Sequence, residues 1–150
     1  MTMPVDSELI TVAHAREQIA GQWLYIDRYY RSGRYNSQSP SAGWGGTLRQ
    51  GAAAFYVLLI RRLLNEHVPA LLLTLGADWW PPGVPNDSRQ HTRDWPLEEH
   101  AAKVRQRVAR FGYLSDCWQG RLTNVLHWTA LRVHDYIEDE LTAAKKGALS

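Results

Sequence analysis

Histidine and glutamate near the end of the chain are the side chains best spaced to hold a metal ion. His127 and His134 are seven residues apart, and Glu138 follows His134 by four, so a helix would turn them toward one side. A metal site needs further converging ligands, and the sequence has neither an HExxH motif nor paired ExxH motifs. Ordinary helical histidines explain the pattern better, so we predict no metal and no cofactor.

Nucleophilic catalysis has no clear signature in the sequence. The single cysteine, Cys117, lies in no catalytic motif, and a buried structural thiol is the simpler interpretation. The serines lack a GxSxG elbow, and the glycines of GWGG match neither a phosphate-binding loop nor a dinucleotide-binding fingerprint. We therefore predict a protein that is not an enzyme. An enzyme or metal protein built on His127, His134 and Glu138 remains the weakest alternative.

Positive charge is unevenly distributed along the chain, although the net charge is only +2. No acidic residue occurs within 28–65 or within 100–115, and both stretches carry several arginines. Such segregation favours an anionic partner, although cations also stabilise helix C-termini. Arginine pairs with phosphate and tyrosine stacks on unpaired bases, and both residues are also typical of protein–protein hot spots. The predicted nucleic-acid contacts are Arg31, Arg34, Arg49, Arg61, Arg62, Lys103, Arg107 and Arg110.

The composition is that of a globular protein, with 150 residues of which 45% are hydrophobic. We predict a single α-helical domain over 1–150. The first residues lack the basic and apolar regions of a signal peptide, and the longest apolar stretch is far shorter than the roughly 20 residues of a membrane span. These features predict a cytoplasmic protein with no membrane partner.

Hydrophobic periodicity predicts an all-α fold, a four-to-five-helix bundle with a long Trp/Pro-rich loop. The first helix should span about 7–30. The second should begin at a capping box formed by Thr47 and Gln50, end near His67, and be the most buried, because it is apolar around most of its circumference. The segment PALLLTLG is predicted as a short helix. A third helix should begin within 94–97 and end before Gly112, and a fourth should run from about 116–120 to 144, with a frayed tail.

Between the short helix and the third one lies ADWWPPGVPNDSRQHTRDWP, with four prolines and three tryptophans. Its prolines exclude regular structure, so the segment should be a surface excursion. Its tryptophans either pack back on the body or form a docking surface for another protein. We predict Trp79, Trp80 and Trp95 as partner-binding residues.

Two stretches of the chain have a distinctive pattern, and they are GWGGTLRQGAAAFYVLLIRRLL and FGYLSDCWQGRLTNVLHWTALRVHDYIEDEL. They resemble the small helical subunit of type III-B (Cmr-type) CRISPR effector complexes. In that family a Gly-Leu-like turn opens a buried alanine-rich helix, and the last helix carries a tryptophan midway. The matching residues are Gly45, Gly46, Leu48, Gln50, Trp128 and Ala130; the segment 77–96 lies outside the resemblance.

The resemblance implies a non-catalytic subunit that stacks against other protein subunits and lines the path of the guide–target duplex. Its nucleic-acid contacts would be to the phosphate backbone, because base pairing carries the sequence information. The alternative is a small helical inhibitor or immunity protein, related to phage or toxin systems, that binds another protein through its aromatic loop.

The RNA-guided interpretation predicts salt-sensitive, sequence-independent RNA binding. An Arg31→Ala/Arg34→Ala/Arg49→Ala variant should lose this binding, as measured by fluorescence anisotropy at two salt concentrations. RNA that stays unbound even at low salt would favour the protein-binding alternative.

Overall fold

The computed structural model describes residues 5–31, 46–76, 78–86, 95–111 and 118–149, with side chains described from 12 onward, from 48 in the second range, to 110 in the fourth and to 143 in the last. Within these residues the chain forms five α-helices and no strand, which confirms the all-α bundle. The helices are α1 (Val5–Arg31), α2 (Gly46–His67), α3 (Pro69–Leu75), α4 (Leu97–Phe111) and α5 (Trp118–Leu149). None of the described helices is both long and apolar enough to cross a membrane.

Helix α2 is the centre of the bundle, as its all-round apolar sequence predicts. It contacts each of the other four helices. Residues 51–57 are all buried, whereas a surface helix would expose its polar side within two turns. The small side chains of Ala52 and Ala53 let neighbouring helices approach, while Phe55 and Leu59 fill the space between them.

Helix α1 is held against α2 by an aromatic contact and a buried hydrogen bond. The rings of Trp23 and Tyr56 have centroids 6.2 Å apart. The hydroxyl of Tyr56 donates to the backbone carbonyl of Ile19 at 2.5 Å, so a polar atom inside the core has its partner. Burial raises the pKa of Tyr56, which keeps the hydroxyl protonated and available as a donor.

Helices α4 and α5 complete the core on the other side of α2. The ring of Phe55 stacks on Tyr136 of α5, with centroids 4.6 Å apart and an angle of 9° between the planes. The ring of His100 meets the same phenylalanine edge-on at 5.0 Å. Ala101 and Val104 of α4 are fully buried and complete this side of the core.

The described part of the Trp/Pro-rich segment is irregular, as its prolines predict. It forms hydrogen bonds within itself, and its tryptophans pack against the core. The indole Nε1 of Trp80 donates to the carbonyls of Val84 and Pro85 at 3.1 and 3.2 Å. Gly76 has φ +100°, a left-handed conformation that glycine tolerates, and it ends α3 by donating its N–H to the carbonyl of Leu72.

The helix boundaries show what local signals missed. Helix α2 begins at Gly46, one residue before the predicted cap Thr47, whose side chain lies outside the described part. Helix α5 continues to Leu149, so the prediction that it would end near 144 with a frayed tail was wrong. The alanines and lysines of that tail are good helix formers and extend α5 by another turn.

Candidate nucleic-acid interface

Arg49 lies in a buried ion pair. Its Nε and Nη2 donate to the two carboxylate oxygens of Asp27 at 2.9 and 3.0 Å, in a bidentate fork. Asp27 is only 3% exposed, and the hydrogen bonds to it raise the pKa of Arg49. Asp27, the residue just before the acid-free stretch 28–65, thus neutralises an arginine within it. The two residues are 22 positions apart, so the sequence did not indicate that they pair.

Two further arginines of α2 are paired with acids from other parts of the fold. An Nη2 of Arg61 lies 3.7 Å from the carboxylate of Asp78, and Arg62 forms an ion pair with Glu98 of α4. Both contacts are at the surface, where an ion pair adds little stability but does reduce the local positive potential. Arg61 and Arg62 are therefore less available to phosphate than the sequence suggests.

The other predicted contacts from these stretches occupy different positions. Arg31 is more than half exposed and lies 3.6 Å from Asp27, at the end of α1. Arg34 lies outside the described residues. Arg110 is exposed in the last turn of α4. The prediction that these residues contact nucleic acid stays a prediction.

Lys103 and Arg107, in contrast, come together at an open cleft between α4 and α5. They are four residues apart, so they lie on one side of α4. The cleft has a volume of about 320 Å³. Within the described residues, neither side chain has a carboxylate within ion-pair distance. The residues that line it are Lys103, Val104, Gln106 and Arg107 of α4, and Trp128, Leu131 and Arg132 of α5.

An aromatic ring and a positive potential characterise this cleft. The guanidinium carbon of Arg107 lies 5.4 Å from the ring centroid of Trp128, a cation–π distance. Arg132 forms an ion pair with exposed Asp135, so its charge is partly neutralised. The pKa of the neighbouring His100 is lowered mainly by burial. Arg132 and Lys103 lower it further, and Glu99 and Asp139 oppose them.

Sequence reasoning identified the cations of the cleft but missed the residues of α5 that join them. Trp128 enters the sequence analysis only through the family resemblance, and no sequence motif points to Gln106, Leu131 or Arg132. Partly exposed Trp128 and exposed Leu131 lie on the outer side of α5, where a purely structural helix would carry polar residues. These two apolar residues on the outer side of α5 were the signal that the sequence offered. The sequence could not show that Arg107 of α4 lies beside them.

The three tryptophans predicted to bind a partner are half-buried and pack against the core. Trp95 packs against both members of the Phe55–Tyr136 stack, at centroid distances of 6.4 and 5.8 Å. Much of each indole surface is thus already in contact with this chain, and the remainder is at the surface. Their role in partner binding stays a prediction.

The histidines considered for a metal have other neighbours. His134 Nδ1 lies 2.9 Å from the hydroxyl of Tyr30, which is also 3.5 Å from the carboxylate of Glu138. His127 is exposed and meets the ring of Trp128 edge-on. Among the described residues, no three His, Cys, Asp or Glu side chains come together in a group that could hold a metal ion. Cys117 is outside the described residues.

The Asp27–Arg49 pair should be a stability determinant. Arg49→Ala leaves a buried carboxylate without its main partner, which costs about 3 kcal/mol for pairs of this kind, and the exposed third of Arg49 favours a smaller value. Arg28→Ala, an exposed arginine on the same helix as Asp27, should change the free energy of unfolding by less than about 0.5 kcal/mol. Urea unfolding measures both. Equal stability of the two variants would contradict a structural role for the pair. In the RNA-binding experiment, the folding of any Arg49 variant must be checked before a loss of binding is assigned to Arg49.

The lowered pKa of His100 predicts a pH-dependent stability. The unfolded chain takes up a proton near pH 6.5 that the folded chain resists, so stability is complete above that pH and is lost as the pH falls through the lowered folded pKa. His100→Gln should reduce the slope of unfolding free energy against pH below about 6.5, by at most roughly 1.4 kcal/mol per pH unit for one proton. His14→Gln, at an exposed position, is the control. A slope unchanged by His100→Gln would contradict the prediction.

Comparisons with protein-family profiles, with curated proteins and with solved structures found no match to this chain.

Proposed function

We propose that this protein is a non-catalytic subunit of an RNA-guided ribonucleoprotein complex of the CRISPR type III class, and that it holds the nucleic-acid backbone at the α4–α5 cleft. The observation that carries the proposal is the pairing of Lys103 with Arg107 on one side of α4. Neither has a carboxylate partner among the described residues, and both line an open cleft. Two such cations attract phosphate without reading sequence.

The chemistry of the cleft lining favours binding over catalysis. Its described residues supply two cations, a third that is paired with Asp135, one carboxamide and an apolar floor. A hydrolase or transferase site needs a nucleophile with a nearby base, or a metal, and among the described residues no histidine, cysteine or carboxylate lines the cleft. Charge attraction and stacking are what these side chains provide.

An exposed aromatic surface on α1 supports a role within a larger assembly. Leu24, Tyr25 and Tyr29 are exposed on this helix, and Tyr25 is the most exposed of them at 67%. Tyrosine beside arginine is frequent at protein–protein contacts, and exposed Arg28 lies on the same helix. This surface is on a different helix from the cleft, so a neighbouring subunit could occupy it while nucleic acid occupies the cleft.

The proposal predicts that Lys103→Ala/Arg107→Ala weakens RNA binding about tenfold or more at low salt. The slope of log affinity against log salt should fall by roughly 1.4, since each contact to a single strand contributes about 0.7. Fluorescence anisotropy with a labelled RNA over a salt series measures both.

The matched control is Arg16→Ala/Arg28→Ala, which removes the same charge from exposed positions on α1. It should change affinity and slope far less than the cleft variant does. Equal losses in the two variants would show that net charge, not the cleft, governs binding. RNA that does not bind to wild-type protein at low salt would contradict the proposed function.

A second candidate function is a small protein-binding inhibitor or immunity protein. The observation that favours it is Leu73 of α3, which is 85% exposed and lies just before the Trp/Pro-rich segment. An exposed leucine near partly exposed indoles is a suitable anchor for a protein partner. This candidate expects no affinity for RNA at low salt and no effect of Lys103→Ala/Arg107→Ala on the partner.

A further inference from the structure

We propose that the α4–α5 cleft binds one unpaired nucleotide, with its base against Trp128 and Leu131 and its phosphate between Lys103 and Arg107. This inference rests on the proposed function and makes it more specific. The ligand class is single-stranded nucleic acid, whereas contacts to a duplex would be limited to its phosphates.

The cleft combines the two surfaces that a nucleotide presents. Trp128 and Leu131 of α5 form an apolar side, and Leu131 is 44% exposed. Lys103 and Arg107 of α4 form the cationic side. A nucleotide is likewise apolar and aromatic at its base and anionic at its phosphate, so it satisfies both sides at once. An exposed leucine and an indole that line the same cleft are difficult to explain by phosphate binding alone.

Arg107 already shows the type of contact that the ring of Trp128 makes. Its guanidinium is a flat cation held 5.4 Å from the centroid of the indole. A nucleobase is also flat and stacks on tryptophan or on a guanidinium plane. Since Arg107 is long and exposed, it can turn toward the phosphate and leave the ring to the base, or cover the other face of the base.

The size of the cleft limits what can enter it. A volume of about 320 Å³ is at the low end of ligand sites, which run from roughly 300 to 1,000 Å³. One nucleotide is suited to such a space. A base within a duplex cannot reach the indole unless it leaves its stack, which costs a few kcal/mol. The cleft should therefore prefer unpaired nucleotides.

The two remaining polar residues of the lining have different roles. The carboxamide of Gln106 offers both a donor and an acceptor, which suits the edge of a base. Arg132 is held by Asp135, so it contributes less to phosphate attraction than Lys103 and Arg107 do. The carboxylate of Asp135 also disfavours a second phosphate on that side of the cleft, because like charges repel.

The test compares a short oligoadenylate with an abasic ribose-phosphate oligomer of the same length and charge. Both are titrated into the full chain labelled with ¹⁵N, and the indole N–H signal of Trp128 is identified by its loss in Trp128→Phe. We expect the oligoadenylate to shift this signal and to bind roughly 5- to 150-fold more tightly than the abasic oligomer, the equivalent of one stacked base. A duplex of equal charge should leave the signal in place.

Variants separate stacking from charge. Trp128→Leu should lower the affinity for oligoadenylate to that for the abasic oligomer, which should itself not change. Trp118→Leu, which changes another partly buried tryptophan of α5, is the matched control and should bind as wild type does. Lys103→Ala/Arg107→Ala should weaken both oligomers. The comparison of wild-type affinities for the two oligomers needs no variant, so a misfolded variant would not leave the question open.

Failure of this inference is distinguishable from failure of the proposed function. Equal affinity for the two oligomers with an unmoved Trp128 signal overturns the stacking site, while salt-sensitive binding that still requires Lys103 and Arg107 leaves the proposed function intact. No binding of either oligomer at low salt overturns both. A polyglutamate peptide that binds as tightly as oligoadenylate and shifts the same signal would show that the cleft takes acidic peptides, which also overturns the inference.

Discussion

Burial of α2 on all sides is the constraint from which the rest of the bundle follows. A helix whose residues 51–57 are all inaccessible to water is stable only when other helices surround it. Helices α1, α4 and α5 all contact it, and Phe55 alone touches Tyr136, Trp95 and His100. The outer sides of these helices then remain for binding. The cleft between α4 and α5 is one result of this arrangement.

The positive charge that stays available at the surface depends on which arginines pair with acids in the fold, not on runs of basic residues along the sequence. Two stretches without local acids appeared equally basic, but α2 obtains its counter-charges from Asp27, Asp78 and Glu98. Helix α4 differs, because it pairs Arg105 with Glu66 and Glu98 and directs Lys103 and Arg107 into the cleft. The proposed binding surface therefore contains fewer cations than the sequence predicts, and it includes Trp128 from another helix.

The sequence predicted most of the fold and only part of the candidate site. Periodicity located α1, α2 and α4 to within a few residues, and it identified α2 as the buried helix, because both features depend on local spacing. The predicted length of α5 was too short. Whether the last turn of a helix stays formed depends on its stability, which the hydrophobic pattern does not reveal. The cleft was not predictable as a unit, because Arg107 and Trp128 are 21 positions apart in sequence and meet only when α4 packs on α5.

Arg105 links α4 to α2 on the side away from the cleft. At roughly 100° per residue, Arg105 lies about 200° around the helix axis from both Lys103 and Arg107, so its fork and the cleft are on opposite sides. The fork joins Arg105 to Glu66 of α2 at 2.5 Å and to Glu98 of its own helix at 2.6 Å. The acids of the fork thus lie away from the cleft, and they neutralise Arg105 without neutralising Lys103 and Arg107. A single helix therefore carries a charge-balanced side and a cationic side.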